Sequence, residues 1–210
     1  MAPAFDREDP GAARRPAYVP REPDESSTGW HPGSGFSAVM GAGFGGEDFV
    51  KASGDEGLSS GQGFLVGVGG MVTPFWIGEV VGFGAGVDLA LKYAGLRAQN
   101  GSASITRFPL ALTVHLLTNF NGRSHNYLFA RAGVSRDLGV HYQADIDGQG
   151  LDVDADGTWG GTFSAGYYRT LKNEMAIDVM LFATLGDHVV NDHHIDANSF
   201  GVSGAVHFNL

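Results

Sequence analysis

The stretch Val81-Gly82-Phe83-Gly84-Ala85-Gly86-Val87-Asp88-Leu89-Ala90-Leu91-Lys92-Tyr93 decides the fold. Val81, Phe83, Ala85, Val87, Leu89, Leu91 and Tyr93 fall on one face of an extended chain. Gly82, Gly84, Gly86, Asp88, Ala90 and Lys92 fall on the other, which is the period of two of a β-strand. A helix is disfavoured, because each interior glycine costs it about 1 kcal/mol relative to alanine. The second face carries the information. In a soluble sheet it would meet water and bear Lys, Glu and Thr; here it is mostly small. Small side chains suit a narrow lumen. The uncharged first face suits lipid, where a Lys or Arg would cost about 2–4 kcal/mol at mid-depth.

The same alternation recurs to give eight strands. Phe200, Val202, Gly204, Val206, Phe208 and Leu210 share a face, as do Met175, Ile177, Val179, Leu181, Ala183 and Leu185. Phe108 to Leu116 and Trp159 to Tyr167 repeat it, with weaker copies at Phe36–Phe44, Phe64–Val72 and Leu128–Val134. Connections alternate in length. Long polar ones are expected at 45–61, 94–103, 137–157 and 186–198, and short ones near Thr73-Pro74, Asn119–Gly122 and Leu171–Asn173. External loops and periplasmic turns alternate in this way, and an even strand count leaves both termini on the periplasmic side. Phe75, Trp76, Tyr93, Phe120, Tyr127, Trp159 and Tyr167 are placed at strand ends, as interfacial aromatics would be. Glu79 and Arg169 have outward parity near the expected turns, where they can reach headgroups.

Composition agrees. Glycine supplies 33 of 210 residues, and there is no cysteine, so disulfides and thiolate metal sites are excluded. A net charge of -10 without a basic run argues against nucleic acid as a partner. No run of about 20 apolar residues is present, so a transmembrane helix is not expected. Residues 1–33 are rich in Pro, Arg and acid, lack the apolar core of a signal peptide, and read as a flexible periplasmic tail of a mature chain. Residues 34–210 read as the barrel.

This pattern resembles the small eight-stranded outer-membrane barrels: the OmpA transmembrane domain and its OmpX- and OmpW-like relatives. The resemblance covers residues 34–210 and lies in pattern and topology. It implies an all-β, eight-stranded antiparallel up-and-down transmembrane barrel in the outer membrane of a Gram-negative bacterium. Its partners would be outer-membrane lipid, lipopolysaccharide and the assembly machinery, and the chain would be a monomer. Family members typically end in an aromatic residue; Phe208 and Leu210 keep outward parity here, but the last residue is Leu.

The function expected is structural, adhesive or surface-interacting, without a wide pore and without catalysis. A soluble lipocalin-like barrel would instead hold Phe83, Leu89, Leu112 and Val179 inside around an apolar ligand. An outer-membrane enzyme acting on lipid is the other alternative, but Ser203 and His207 share inward parity, away from such a substrate. Two ionic clusters are expected in the lumen: Asp88, Lys92 and Arg107 above, with Arg107 opposite Ala90, and His115, Arg131 and Asp178 below. No cofactor is expected. Calcium is conceivable in the 145–157 loop, where Asp152, Asp154 and Asp156 precede Gly157 but Phe163 stands where a calcium loop needs Glu. His188, Asp192, His193, His194 and Asp196 carry the donor types of a transition-metal site without a diagnostic spacing.

Overall fold

The computed structural model describes residues 32, 34–51, 57–78, 80–98, 101–119, 125–171 and 174–210. The expectation for residues 1–33 therefore lies almost wholly outside the described residues, and those for Glu79, Phe120 and the turn at Lys172 do so entirely. The elements are β1 (Gly35–Phe44), β2 (Asp48–Lys51), β3 (Gly57–Ser59), β4 (Gly63–Ile77), β5 (Val81–Ala98), β6 (Gly101–Thr118), β7 (Asn126–Ile146), β8 (Gln149–Gly157), β9 (Gly160–Thr170), β10 (Met175–Thr184), β11 (Asp187–Val190), β12 (His193–Asp196) and β13 (Ser199–Asn209).

Eight of them close on themselves. The order β7-β6-β5-β4-β1-β13-β10-β9 returns to β7 through a further β7–β9 pairing, and every pairing is antiparallel. Closure satisfies the backbone donors and acceptors of both edges, which a sheet in hydrocarbon requires. Gly35 pairs with Asn209, so the described chain starts and ends at one rim. β2–β3, the tips of β5–β6, β7–β8 and β11–β12 stand at the other.

Burial follows the parity of the sequence. Phe36, Met40, Val68, Phe83, Leu89, Leu112, Val114, Val179, Leu181 and Phe208 are exposed, Leu181 by 71%. Asp88, Lys92, Arg107, His115, Arg131 and Asp178 all turn to the lumen side. A lipocalin-like interior needs the reverse, with Phe83, Leu89, Leu112 and Val179 inside. From Phe83 to Tyr93 the outward apolar stretch matches the roughly 9–11 residues with which a tilted strand crosses a bilayer.

The long connections are not irregular loops. Residues 94–98 and 101–103 continue β5 and β6, most of 137–157 is the upper part of β7 with β8, and 186–198 contains the β11–β12 hairpin. β7 pairs with β9 up to Ser135 and with β8 from Val140, so the sheet continues above the barrel as β12-β11-β8-β7-β6-β5. The switch coincides with a bulge: Arg107 pairs with Val140 but Pro109 with Asp137. Asp137 points inward on the same parity as Ser135, and one extra residue on β7 then reverses parity, so Val140, Tyr142 and Ala144 point inward as well. A second bulge, between Val72 and Phe75, accommodates Pro74, which cannot donate to a ladder. Thr73-Pro74 is thus a bulge inside β4 and not a turn; the turn follows at Gly78, whose φ is 60°. The bulge sends Phe75 outward and Trp76 inward.

The exterior band leads to a direct test. Leu181→Arg should destabilise the barrel by about 2–4 kcal/mol in urea unfolding from bilayers. The same change on a water-exposed surface would stay within about 0.5 kcal/mol, and that smaller result would argue against a lipid-facing Leu181.

Candidate functional site: the packed lumen and its capped mouth

Side chains fill the lumen in layers. Next to the terminal rim, Met71, Leu117, Tyr127, Phe129, Tyr168, Ala176 and Met180 form a buried apolar cluster, with Trp76 against it. Trp76 and Tyr127 meet edge-on at 6.0 Å, so neither belongs to the outer aromatic belt. Tyr93, Trp159 and Tyr167 are exposed as that belt requires, and Arg169 is exposed near the terminal rim. His207 Nε2 lies 2.6 Å from Asp178 Oδ2, and the Tyr168 ring packs on His207 at 5.0 Å. His115 Nε2 meets Thr73 Oγ1 at 2.9 Å and its ring abuts Phe129.

Arg131 spans the next layer. Its Nη2 lies 2.5 Å from Asp88 Oδ2 and donates to Thr113 Oγ1 at 3.0 Å. The lumenal glycines explain how such long groups fit. A Cβ on Gly84 would stand 2.5 Å from His115 Nε2, one on Gly86 2.8 Å from Arg131 Nη2, and one on Gly43 2.9 Å from Lys92 Nζ. Above, Lys92 Nζ donates to Gly61 O at 2.5 Å and to Ser199 Oγ at 2.7 Å.

The pairing differs from the two clusters expected from sequence. Asp88 joins Arg131 rather than Lys92 and Arg107. Asp178 joins His207 rather than Arg131. Arg107 lies opposite Lys92, not Ala90, because the β5–β6 register is displaced by two residues from that of a turn centred near 98 or 99. A two-residue shift preserves parity, so the inward assignment is unaffected while the partners change. His115 does lie opposite Arg131.

The mouth is closed by a buried network. Arg107 donates through Nε to Asp137 Oδ2 at 2.9 Å, its Nη2 is 2.6 Å from the same oxygen, and its Nη1 donates to Ser60 O at 2.6 Å. His188 Nε2 contacts Asp137 Oδ2 at 2.6 Å, and its Nδ1 is hydrogen-bonded to the Tyr142 hydroxyl. Four elements converge here: β6, β7, β11 and the segment after β3. Ser60 Oγ donates to Asp196 O, which also accepts from Glu47 N at 2.8 Å, so the β2–β3 hairpin is tied down across the opening. Leu58, Ile105, Val140 and Tyr142 form a second apolar core beneath it, with Phe49 on Tyr142 at 4.5 Å. Asp137, Tyr142 and Ser60 carry much of this arrangement, as His207 does beside Asp178 near the other rim; sequence reasoning placed His207 inward but named none of the four as a partner of a lumenal charge.

The acidic and His-rich segments do not converge. Among the described residues no group of three His, Asp or Glu is placed to hold a metal ion. Asp152, Asp154 and Asp156 alternate along β8 on one face, where a wrapping calcium loop would have to curl. Asp154 and Asp152 flank His141 instead, at 2.9 and 3.5 Å. His188 is buried at the mouth, while His194 is exposed and 3.5 Å from Asp187. Asp192, His193 and Asp196 are exposed on the same hairpin.

No protein-family model matches the sequence, and no curated protein matches it. Solved structures do. Neisserial surface protein A (NspA) is similar at a TM-score of 0.56 and 12% identity, over 85% of this chain and 98% of that one. Ail, the attachment invasion locus protein of Yersinia pestis, is similar at a TM-score of 0.44 and 11% identity, over 83% and 97%. The N-terminal β-barrel domain of Pseudomonas aeruginosa OprF is similar at 0.36 and 11%, over 84% and 100%. The likeness to NspA shows the fold: a closed eight-stranded barrel of the outer-membrane type.

Two outcomes follow from the lumen. Removing Arg131 alone (Arg131→Met) strands Asp88 and should cost about 3 kcal/mol. In double-mutant cycles its coupling to Asp88→Leu should exceed its coupling to Asp178→Leu; the opposite order would contradict the observed pairing. The mouth is pH-sensitive through His188, whose burial lowers its pKa below the ordinary 6.5 despite the nearby Asp137. The unfolded mouth therefore binds a proton that the folded mouth refuses, so local stability falls as pH drops below about 6.5. Amide-exchange protection of residues 57–61 and 187–190, corrected for intrinsic rate, should fall between pH 7 and pH 5. Constant protection would contradict this.

Proposed function

We propose that this chain is an integral outer-membrane β-barrel of a Gram-negative bacterium, with a structural, adhesive or surface-interacting role. The observation that carries this reading is the inversion of a soluble fold: an uncharged apolar band outside and a packed, ion-paired interior within a closed barrel. The hairpin-bearing rim faces the exterior and the rim where Gly35 pairs with Asn209 faces the periplasm. The short turns support that orientation.

The function is non-catalytic and non-conducting. The aromatic layer, the Arg131–Asp88 layer and the capped mouth each cross the lumen, and eight strands leave only side-chain-filling space. His207 and Ser203 lie within that filling, with His207 engaged by Asp178. The partners proposed are outer-membrane lipid, lipopolysaccharide and the assembly machinery, which would meet the outward Phe208 of β13 and Leu210 after it. All eight barrel strands are paired on both sides, leaving no barrel edge for a second copy, and this supports a monomer. The extracellular sheet, ordered by its own apolar core, supplies a rigid surface for interaction.

Folding the chain into lipid vesicles tests the reading. A barrel should resist SDS unheated, shift in mobility on boiling, and leave vesicles tight to a hexose-sized solute. A detergent-free soluble monomer would contradict the membrane assignment, and rapid solute release would contradict the closed lumen.

A further inference from the structure

The outward side of β5 runs Val87, Leu89, Leu91, Tyr93, Gly95, Arg97. It passes without a break from the apolar band to a polar surface above it, with Tyr93 at the change. The four-stranded sheet β5-β6-β7-β8 continues that surface sideways. In register across it lie Gly95, Ser104, Gln143 and Asp152, and above them Arg97, Ser102, Asp145 and Gly150. Together they line an open groove of about 1060 Å³, at the upper end of the roughly 300–1,000 Å³ usual for small-ligand sites.

Two features make this surface more than a solvated sheet face. Tyr93 is 53% exposed, and a Cβ built on Gly95 would meet its ring at 3.3–3.4 Å and its hydroxyl at 2.8 Å. The hydroxyl end of the ring therefore reaches along the strand to Gly95, and the ring remains open to the outside. A Cβ on Gly150 would meet nothing within 4 Å, so the far end of the groove is open. A flat aromatic face bordered by an amide, hydroxyls and carboxylates matches an array of sugar hydroxyls above an apolar sugar face. The charge balance selects further. Asp145, Asp152 and Asp154 outnumber Arg97, and His141 is engaged by Asp152 and Asp154, so a sulfated or phosphorylated group is disfavoured.

We propose that this groove binds the neutral saccharide headgroup of a glycolipid standing beside the barrel. The inference rests on the membrane placement proposed above, because only then does the surface above Tyr93 face the headgroup layer. A lipid-borne sugar, rather than a free glycan, is the occupant because the groove is continuous with the lipid-facing side of β5 and β6 and turns away from the mouth. Asp152 accepts from hydroxyls, Gln143 both accepts and donates, and Tyr93 stacks beneath.

The test uses the full chain in phosphatidylcholine nanodiscs doped with digalactosyl diacylglycerol, a neutral, phosphate-free glycolipid. After mild detergent extraction, the folded barrel should retain the galactolipid about tenfold over phosphatidylcholine, the equivalent of one or two good polar contacts. Gly150→Trp, which fills the groove from an open position, should bring the ratio close to one while the heat-modifiable band persists. Tyr93→Ala should do the same through loss of the platform. Wild-type barrel that inserts but shows no enrichment would overturn the site, as would folded Gly150→Trp with undiminished enrichment. Displacement of the galactolipid by soluble heparin-type polysulfate would overturn the choice of a neutral saccharide. Failure of the wild-type chain to insert at all would overturn the membrane placement and the site together.

Discussion

Eight strands fix the bore of the barrel before any side chain is placed, and that bore must take every polar group the lipid side cannot. Both halves of this demand are visible along β5, where Val87, Leu89 and Leu91 go out while Asp88 and Lys92 go in. The glycines follow from the same geometry. Gly84, Gly86 and Gly43 stand where His115, Arg131 and Lys92 need the volume that a methyl group would take. A sequence so rich in glycine is therefore neither loose nor low-complexity: its small residues are the complement of a few long charged ones.

Burying those charges is costly unless each is matched, and the structure matches them locally. Arg131 has Asp88 and Thr113, Asp178 has His207, Lys92 has Ser199 and a backbone carbonyl, and Arg107 has Asp137 and the carbonyl of Ser60. The last pairing does more than neutralise. Through Asp137 and His188 it joins barrel strands to the β11–β12 hairpin, so the mouth and the sheet above it are held by one network.

Alternation made the fold legible. Period two, absence of charge on one face and alternating connection lengths are local signals, and Phe36, Val114, Leu181 and Phe208 all lie where their parity put them. What escaped the sequence depends on non-local register. The bulge at Pro74 reverses the remainder of β4 and turns Trp76 inward. The bulge near Leu138 does the same for β7, so Tyr142 joins Asp137 in the mouth although their segment reads as a polar loop. The alternation Val140, Tyr142, Ala144 against His141, Gln143, Asp145 was a usable strand signal there. Ion-pair partners escaped for a related reason: a two-residue change in the β5–β6 hairpin leaves every face intact and still exchanges neighbours, and Asp178 meets His207 through a β10–β13 register that no local motif records.

The chain contains no cysteine, so single cysteines placed in turn from Val81 to Tyr93 report face by face on the barrel in a bilayer. A polarity-sensitive fluorophore on the residues sharing the face of Val87 should be quenched by spin-labelled acyl chains, with alternate positions protected from both lipid quenchers and aqueous reagents. A period-two pattern of lipid quenching is the result this account predicts. Uniform quenching by aqueous iodide at Phe83, Val87 and Leu91, with no effect of labelled lipid, would contradict it.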